Sequence, residues 1–351
     1  MKYWNSTLQA MTEYLPGEQP DNIEQFIKLN TNESPFPPTP PVLEAIKNAC
    51  DGSLRKYPNP NADPLRKEMA SLLGGAFTVD NIFVSNGSDE IFTLLFRGFI
   101  EKTGLAAFAY PSYSLYYTMA EANGINYEKV PLTENFEYDL NLFLKKKYDL
   151  IILTSPNNPT GTTLTVKQIE DFLQKFKGLL VIDEAYIDFY GGSAADMVLK
   201  YDNLIVTRSF SKSYSLAGLR VGIAIANTDI IRGFLKLKDS YNIDRLALAG
   251  ALAVLKDQKG FKYNMQMLRN NKEYLEERLE ALGFEIVPSK ANFVFTKHSS
   301  FPSEKLYLEL KERMILVRYF KGDIQNQYVR ISVGSMQEIK KLIEEIGEII
   351  G

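Results

Sequence analysis

The chain has 351 residues, 45% of them apolar, a length that suggests about two domains and a composition ample for a large core. Its 40 basic and 43 acidic residues leave a net charge of −3, so no basic field favours nucleic acid, and no Lys/Arg cluster precedes an apolar helix to suggest a membrane surface. The single cysteine, Cys50, forbids an intrachain disulfide, and the single histidine, His298, in the polar turn Thr296-Lys-His-Ser-Ser300, argues against a His-based zinc site and a Ser-His-Asp triad.

The start, Met1-Lys-Tyr-Trp-Asn-Ser6, lacks the apolar stretch of a signal peptide, and no apolar run approaches the ~20 residues of a membrane span, so a cytoplasmic location is expected. Residues 1–41 are irregular and proline-rich, which predicts an extended arm that either wraps the surface, straps a dimer or touches substrate. Val42–Ala49 reads as a short helix and Arg55–Pro60 as a turn; a helical pattern from Leu65 ends at Gly74-Gly75. The strand-like Ile82-Phe-Val84 runs into Ser85-Asn-Gly-Ser-Asp-Glu90, which opens a helix over 91–100 with Ser88 or Asp89 as cap. Strands at 105–109, 149–153, 178–182 and 204–206 then alternate with helices at 115–122 and 166–176. Short aliphatic runs separated by helices predict a mostly parallel, buried sheet with helices on both faces, whose ligands gather at the carboxyl ends of its strands. Helical stretches at 229–237 and 246–255 follow, then a long helix over 261–282 and shorter strands and helices to the end, a smaller α/β unit. The expected organisation is an arm (1–41), a large domain (42–260) and a small domain (261–351).

One stretch carries chemistry: Val206-Thr-Arg-Ser-Phe-Ser-Lys-Ser-Tyr-Ser-Leu-Ala-Gly-Leu-Arg-Val-Gly222. Lys212 stands just past a strand among four serines, with Arg220 eight residues on. A lysine desolvated beside other cations loses its proton readily and can form an imine with a carbonyl. Serine hydroxyls and an arginine fork suit the phosphate tail of an aldehyde cofactor. By itself Lys212 also reads as a solvated lysine in a serine-rich loop. Arg220 and two further features at predicted strand ends weigh against that: Ser155-Pro-Asn-Asn-Pro-Thr-Gly161 and Asp183-Glu-Ala-Tyr186. No Gly-x-Gly-x-x-Gly or Gly-Lys-Ser/Thr opens a helix, which weighs against a dinucleotide or P-loop module.

The order and spacing of these features resemble the pyridoxal-phosphate (PLP) aminotransferases of fold type I over about residues 11–334. Within that group Tyr14-Leu-Pro-Gly17, Leu29-Asn-Thr-Asn-Glu-Ser-Pro35, Tyr57-Pro58, Asn86–Glu90, Tyr110-Pro-Ser-Tyr113, Asp183–Asp188 and Leu216–Arg220 are similar to the histidinol-phosphate aminotransferase branch. One departure is Glu13, which stands before Tyr14 where the branch often has proline.

The resemblance implies roles residue by residue. Lys212 would bond the cofactor aldehyde and move the substrate's Cα proton, and Asp183 would face the pyridinium nitrogen. Asn158, directly before Pro-Thr-Gly, and Tyr186 would hold the ring oxygen, and Tyr113 would stack on the ring or simply pack in the core. Ser209, Ser211, Arg220 and backbone N–H groups at Ser88 and Asp89 would hold the phosphate, with Tyr57 reaching it from a second subunit of a homodimer. Tyr14, Asn32, Arg318 and Arg330 would face substrate. The implied reaction moves an amino group between histidinol phosphate and 2-oxoglutarate, giving imidazole-acetol phosphate and glutamate. An aromatic amino acid, or decarboxylation of threonine phosphate, is the alternative on the same scaffold.

Overall fold

The computed structural model describes residues 3–11, 13–14, 16–322 and 324–351. Leu15 of the Tyr14–Gly17 motif lies outside them. In the arm, β1 (Ile27–Lys28) is the one strand among the described residues. The larger sheet follows: β2 (Ile82–Asn86), β3 (Leu105–Tyr110), β4 (Asn126–Pro131), β5 (Leu150–Thr154), β6 (Leu179–Asp183), β7 (Leu204–Ser209) and β8 (Val221–Ala226), in the order β2-β8-β7-β6-β5-β3-β4. The pairings β4·β3, β3·β5, β5·β6 and β6·β7 are parallel, whereas β8 is antiparallel to both its neighbours. β5, β7 and β8 carry near-continuous Val, Ile, Leu and Ala runs because both faces of the sheet are covered. One face packs Ile151, Leu153, Leu180, Ile182 and Val206, and the other Phe108, Ile152, Val181 and Ile205.

Several features depart from the sequence expectation: β8 was not predicted as a strand, and the arm carries a short helix at Ser6–Ala10. β4 was hidden because an edge strand reading Asn-Tyr-Glu-Lys-Val-Pro is polar, as edges exposed to solvent tend to be. The helix after β2 starts at Gly87, so Ser88 and Asp89 sit in its first turn and do not cap it. Gly87 adopts φ +69° and donates to the Arg220 carbonyl at 2.8 Å, which turns the chain into the helix earlier than the apolar pattern indicates.

A helix over Gln258–Ala281 leads to a separate antiparallel sheet of β9 (Phe284–Val287), β10 (Phe293–His298), β12 (Arg318–Tyr319) and β13 (Val329–Ser332), ordered β12-β13-β10-β9. β11 (Ile315–Leu316) instead pairs in parallel with β1, so the arm lies on this smaller unit. Leu29, fully buried there among Val294, Ile331 and Leu342, anchors it. Three strand ends of the large sheet and the arm, held by β11 and β13, thereby meet in one place.

Candidate active site

Asp183 is the last residue of β6 and is almost wholly buried. Its Oδ1 accepts from Thr207 Oγ1 at 3.0 Å and from the Ala185 N–H at 3.1 Å, and its Oδ2 accepts from the Tyr116 hydroxyl. Burial pushes the carboxyl above the usual range, and the Tyr116, Thr207 and Ala185 donors oppose that rise.

Lys212 follows β7 one strand over, its Nζ donating to the Thr31 carbonyl of the arm at 2.9 Å. Burial, and then the positive Arg330, bring its amine down to about 8, while Glu33 works the other way. Thr31 is fixed in turn: its hydroxyl donates to Glu33 at 2.8 Å and accepts from Lys28 at 2.7 Å, and Lys28 is ion-paired with Glu33.

Tyr186 lies under Phe293 edge-on at 5.3 Å, and its hydroxyl accepts from Asn32 Nδ2 at 2.9 Å. Burial raises its phenol, against the pull of Arg330. Arg330 of β13 reaches across to the Asn158 Oδ1 and donates to the Asn30 carbonyl at 2.7 Å. Burial lowers this guanidinium to about 10, and its Nε has no hydrogen-bond partner among the described residues. Arg318 sits opposite Arg330 in the β12·β13 ladder, and the two guanidinium groups lie 5.4 and 5.5 Å from the Phe320 ring. Arg318 also holds the arm through the Pro16 carbonyl at 3.1 Å. Tyr14 meets Tyr113 edge-on at 6.3 Å, and burial raises the Tyr113 phenol well above its usual range.

A second cluster forms where the helix starting at Gly87 abuts the loop before β8. Arg220 bonds Ser211 Oγ at 3.4 Å and pairs with Asp89 at 3.0 Å, and Ser209 Oγ accepts from the Ser211 N–H at 3.2 Å. Burial raises the Asp89 carboxyl, against the attraction of Arg220. Asn32 and Arg220 are both non-glycine residues with positive φ, +56° and +51°, a conformation that collects where a site over-determines the backbone. A side chain at Gly87 would put its Cβ 2.5 Å from Arg220 Nη2, and one at Gly222 would put it 2.5 Å from the Ser88 nitrogen. Both glycines therefore keep the first-turn N–H groups and the guanidinium open to the same space.

Lys212, Asp183, Tyr186, Asn158, Arg330, Asn32, Tyr113, Tyr14 and the Arg220 cluster all gather at the carboxyl ends of β6 and β7. Tyr57 stands apart: it is 77% exposed and stacks on Tyr241 at 4.3 Å on the surface. Tyr116, Thr207, Asn30 and Thr31 join the site without having been singled out by sequence. A hydroxyl inside Leu-Tyr-Tyr and a backbone carbonyl carry no signal of their own; only the fold aims them.

The family model for aminotransferase class I and II matches residues 24–346. A histidinol-phosphate aminotransferase of Clostridium botulinum (strain Okra / Type B1) is 38% identical over 99% of both chains. Histidinol-phosphate aminotransferase 1 of Hydrogenovibrio crunogenus is 40% identical over 99% of this chain and 98% of its own. The crystal structure of histidinol-phosphate aminotransferase from Sinorhizobium meliloti, in complex with pyridoxal-5'-phosphate, superposes with a TM-score of 0.91 at 26% identity over 100% of this chain and 98% of that one. The α/β architecture, the strand-end cluster around Lys212 and the match across nearly the whole length converge: the chain belongs to the class I and II aminotransferases.

Proposed function

We propose that this chain is a pyridoxal-phosphate-dependent aminotransferase of histidine biosynthesis that exchanges the amino group of histidinol phosphate with 2-oxoglutarate, giving imidazole-acetol phosphate and glutamate. The reading includes a cytoplasmic homodimer with shared sites and the division into 1–41, 42–260 and 261–351. The observation that carries it is the placement of a half-buried amine, Lys212, and a buried carboxylate, Asp183, beyond the ends of adjacent strands. The names of the full-length relatives support the substrate.

The residues fit the cofactor by the chemistry of their donors. Bound here, pyridoxal phosphate supplies an aldehyde for an amine and a protonated ring nitrogen that draws electrons from the substrate's Cα. Lys212 would hold the aldehyde; brought down to about 8, its amine is partly unprotonated near neutrality and suited to take the Cα proton and return it. Asp183 would oppose the ring nitrogen's positive charge. Asn32 donates to Tyr186 Oη, so the phenolic proton would be free to bond the ring oxygen. Arg330 occupies Asn158 Oδ1, so the amide NH₂ would be free to donate to that same oxygen. Tyr113 would lie against the ring face. Ser209, Ser211, Arg220 and the first-turn N–H groups of Ser88 and Asp89 would hold the phosphate, at the positive end of the 87–98 helix. Tyr57, exposed and aromatic, would reach the phosphate of a partner subunit.

On the substrate side, Arg330 and Arg318 would hold the phosphate or carboxylate of the two substrates, with Tyr14 and Asn32 closing the arm over them. The buried Nε of Arg330 is a donor such an anion would satisfy. Turnover of histidinol phosphate against phenylalanine, each with 2-oxoglutarate, tests the reading. A higher kcat/KM for histidinol phosphate is expected; equal or better use of phenylalanine overturns it.

A further inference from the structure

The Asp183 carboxylate is the terminus of a buried chain of hydroxyl groups. Tyr116, fully buried on the 115–122 helix, donates to Oδ2 and lies 3.0 Å from Thr154 Oγ1. Thr154 Oγ1 is 3.2 Å from Ser112 Oγ, which donates to Asn157 Oδ1 at 2.8 Å. The Asn157 amide is itself oriented, because its Nδ2 donates to the Pro111 carbonyl at 3.0 Å and to Thr160 Oγ1 at 2.8 Å. Both ends are thus acceptors: a carboxylate at one, an amide oxygen with its nitrogen already committed at the other. A tyrosine hydroxyl has one proton, and facing a carboxylate it can only give it. Every residue of that chain is buried, and the Tyr116 ring is clamped by Phe92 at 4.9 Å, Tyr113 at 5.4 Å and Phe108 at 5.9 Å.

We propose that Tyr116 is a positioning residue for the reaction: its hydroxyl holds Asp183 in the anionic form and in the orientation that opposes the cofactor's ring nitrogen, while Thr154, Ser112 and Asn157 tie that hydroxyl to the Asn158-Pro-Thr-Gly loop. This rests on the cofactor reading above. The other titratable groups around the pair are Asp89 of the 87–98 helix and Tyr113, Tyr138 and Tyr186. Only Tyr116 among these donates directly to the carboxylate. Without its donor the carboxylate becomes more basic and draws the proton from the ring nitrogen. The Lys212 nitrogen joined to the aldehyde then keeps its own proton to higher pH.

The test is the pH midpoint of the visible absorption band of the pyridoxal-phosphate-loaded protein, with kcat and KM beside it. Tyr116→Phe, which keeps the ring packing, should move the midpoint upward by about one pH unit, the scale of one hydrogen bond to a charged group. It should lower kcat about tenfold with KM nearly unchanged. Incorporation of 3-fluorotyrosine at position 116, a stronger donor of the same shape, should move the midpoint downward. A midpoint unmoved in both proteins, even with a lower melting temperature, overturns the proposal. If the phenylalanine variant does not fold, the fluorotyrosine protein decides alone. Absence of any visible band in the unsubstituted protein would overturn the cofactor reading and this proposal with it, an outcome distinct from a band that does not move.

Discussion

The two halves of the site are built in opposite ways. The half facing the proposed cofactor is assembled from the ends of adjacent strands in one sheet: Asp183 ends β6, Lys212 follows β7, and Arg220 precedes β8. Its geometry is inherited from a core whose strands are buried on both faces, so each residue sits where hydrogen-bonded register puts it. The substrate-facing half joins residues about 300 positions apart. Asn32 donates its N–H to Ser332 Oγ at 2.8 Å, Asn292 Nδ2 donates to the Asn32 carbonyl at 3.0 Å, and Arg330 donates to the Asn30 carbonyl. It holds only while the arm stays on β11 and β13. The first half is rigid by construction; the second is a clasp, held by polar contacts that can open with modest loss. A site that must keep one ligand and exchange another needs that division, and Lys212, bonded to the Thr31 carbonyl of the arm, sits on the seam.

The largest expected effect strikes the rigid half. Lys212→Ala should lower transamination at least about a thousandfold while pyridoxal phosphate still binds without a covalent link, as read by turnover and by the absorption spectrum. Retained turnover would remove the lysine from its role. In the clasp, Arg330→Ala strips a charged partner from Asn158 and Asn30 and should cost about a hundredfold in kcat/KM, the scale of a buried charge-assisted contact. The loss should fall on both substrates, which kinetics with each varied in turn will separate.

Tyr57→Phe belongs to neither half within one chain. It should weaken cofactor retention about tenfold, one hydrogen bond to a phosphate, measured by dialysis and residual absorbance. Mixed dimers with Lys212→Ala on one chain and the Tyr57 change on the other then tell whether sites are shared. The smallest effect concerns stability. The Lys212 amine lies below its ordinary value of 10.5, at about 8, so below pH 8 its burial as a cation costs folding free energy. That cost fades as pH rises from 8 to 10.5, where the folded protein has already released the proton. Lys212→Met should therefore stabilise the cofactor-free protein by about 1 kcal/mol at pH 7, after loss of the Thr31 contact, and the gain should vanish near pH 10.5. A gain that grows with pH would contradict the assigned environment.

The same division decides what sequence alone could reveal. Asp183 and Lys212 were legible because buried strands are short aliphatic runs, and ligand residues in such sheets stand at or just past their ends, whereas Arg220, just before the unpredicted β8, was picked out by its place in the serine-rich stretch. Arg330 was singled out by the family resemblance, but its partners were not: nothing local in Leu29-Asn-Thr-Asn says that the Asn30 and Thr31 carbonyls accept from Arg330 and Lys212. Tyr116 is the sharpest case, since it and Tyr117 are neighbours of the same type. The helix sends one hydroxyl to Asp183 and the other to the Ala109 carbonyl at 2.9 Å. β4 was missed for a different reason, its edge position permitting Glu128 and Lys129, which erases the apolar run.

The central claim is that one amine, Lys212, carries the carbonyl chemistry. Borohydride reduction of the pyridoxal-phosphate-loaded protein, followed by peptide mapping, reads this directly. The account predicts a single reduced pyridoxyl tag on Lys212; a tag on any other side chain, or none, would contradict it.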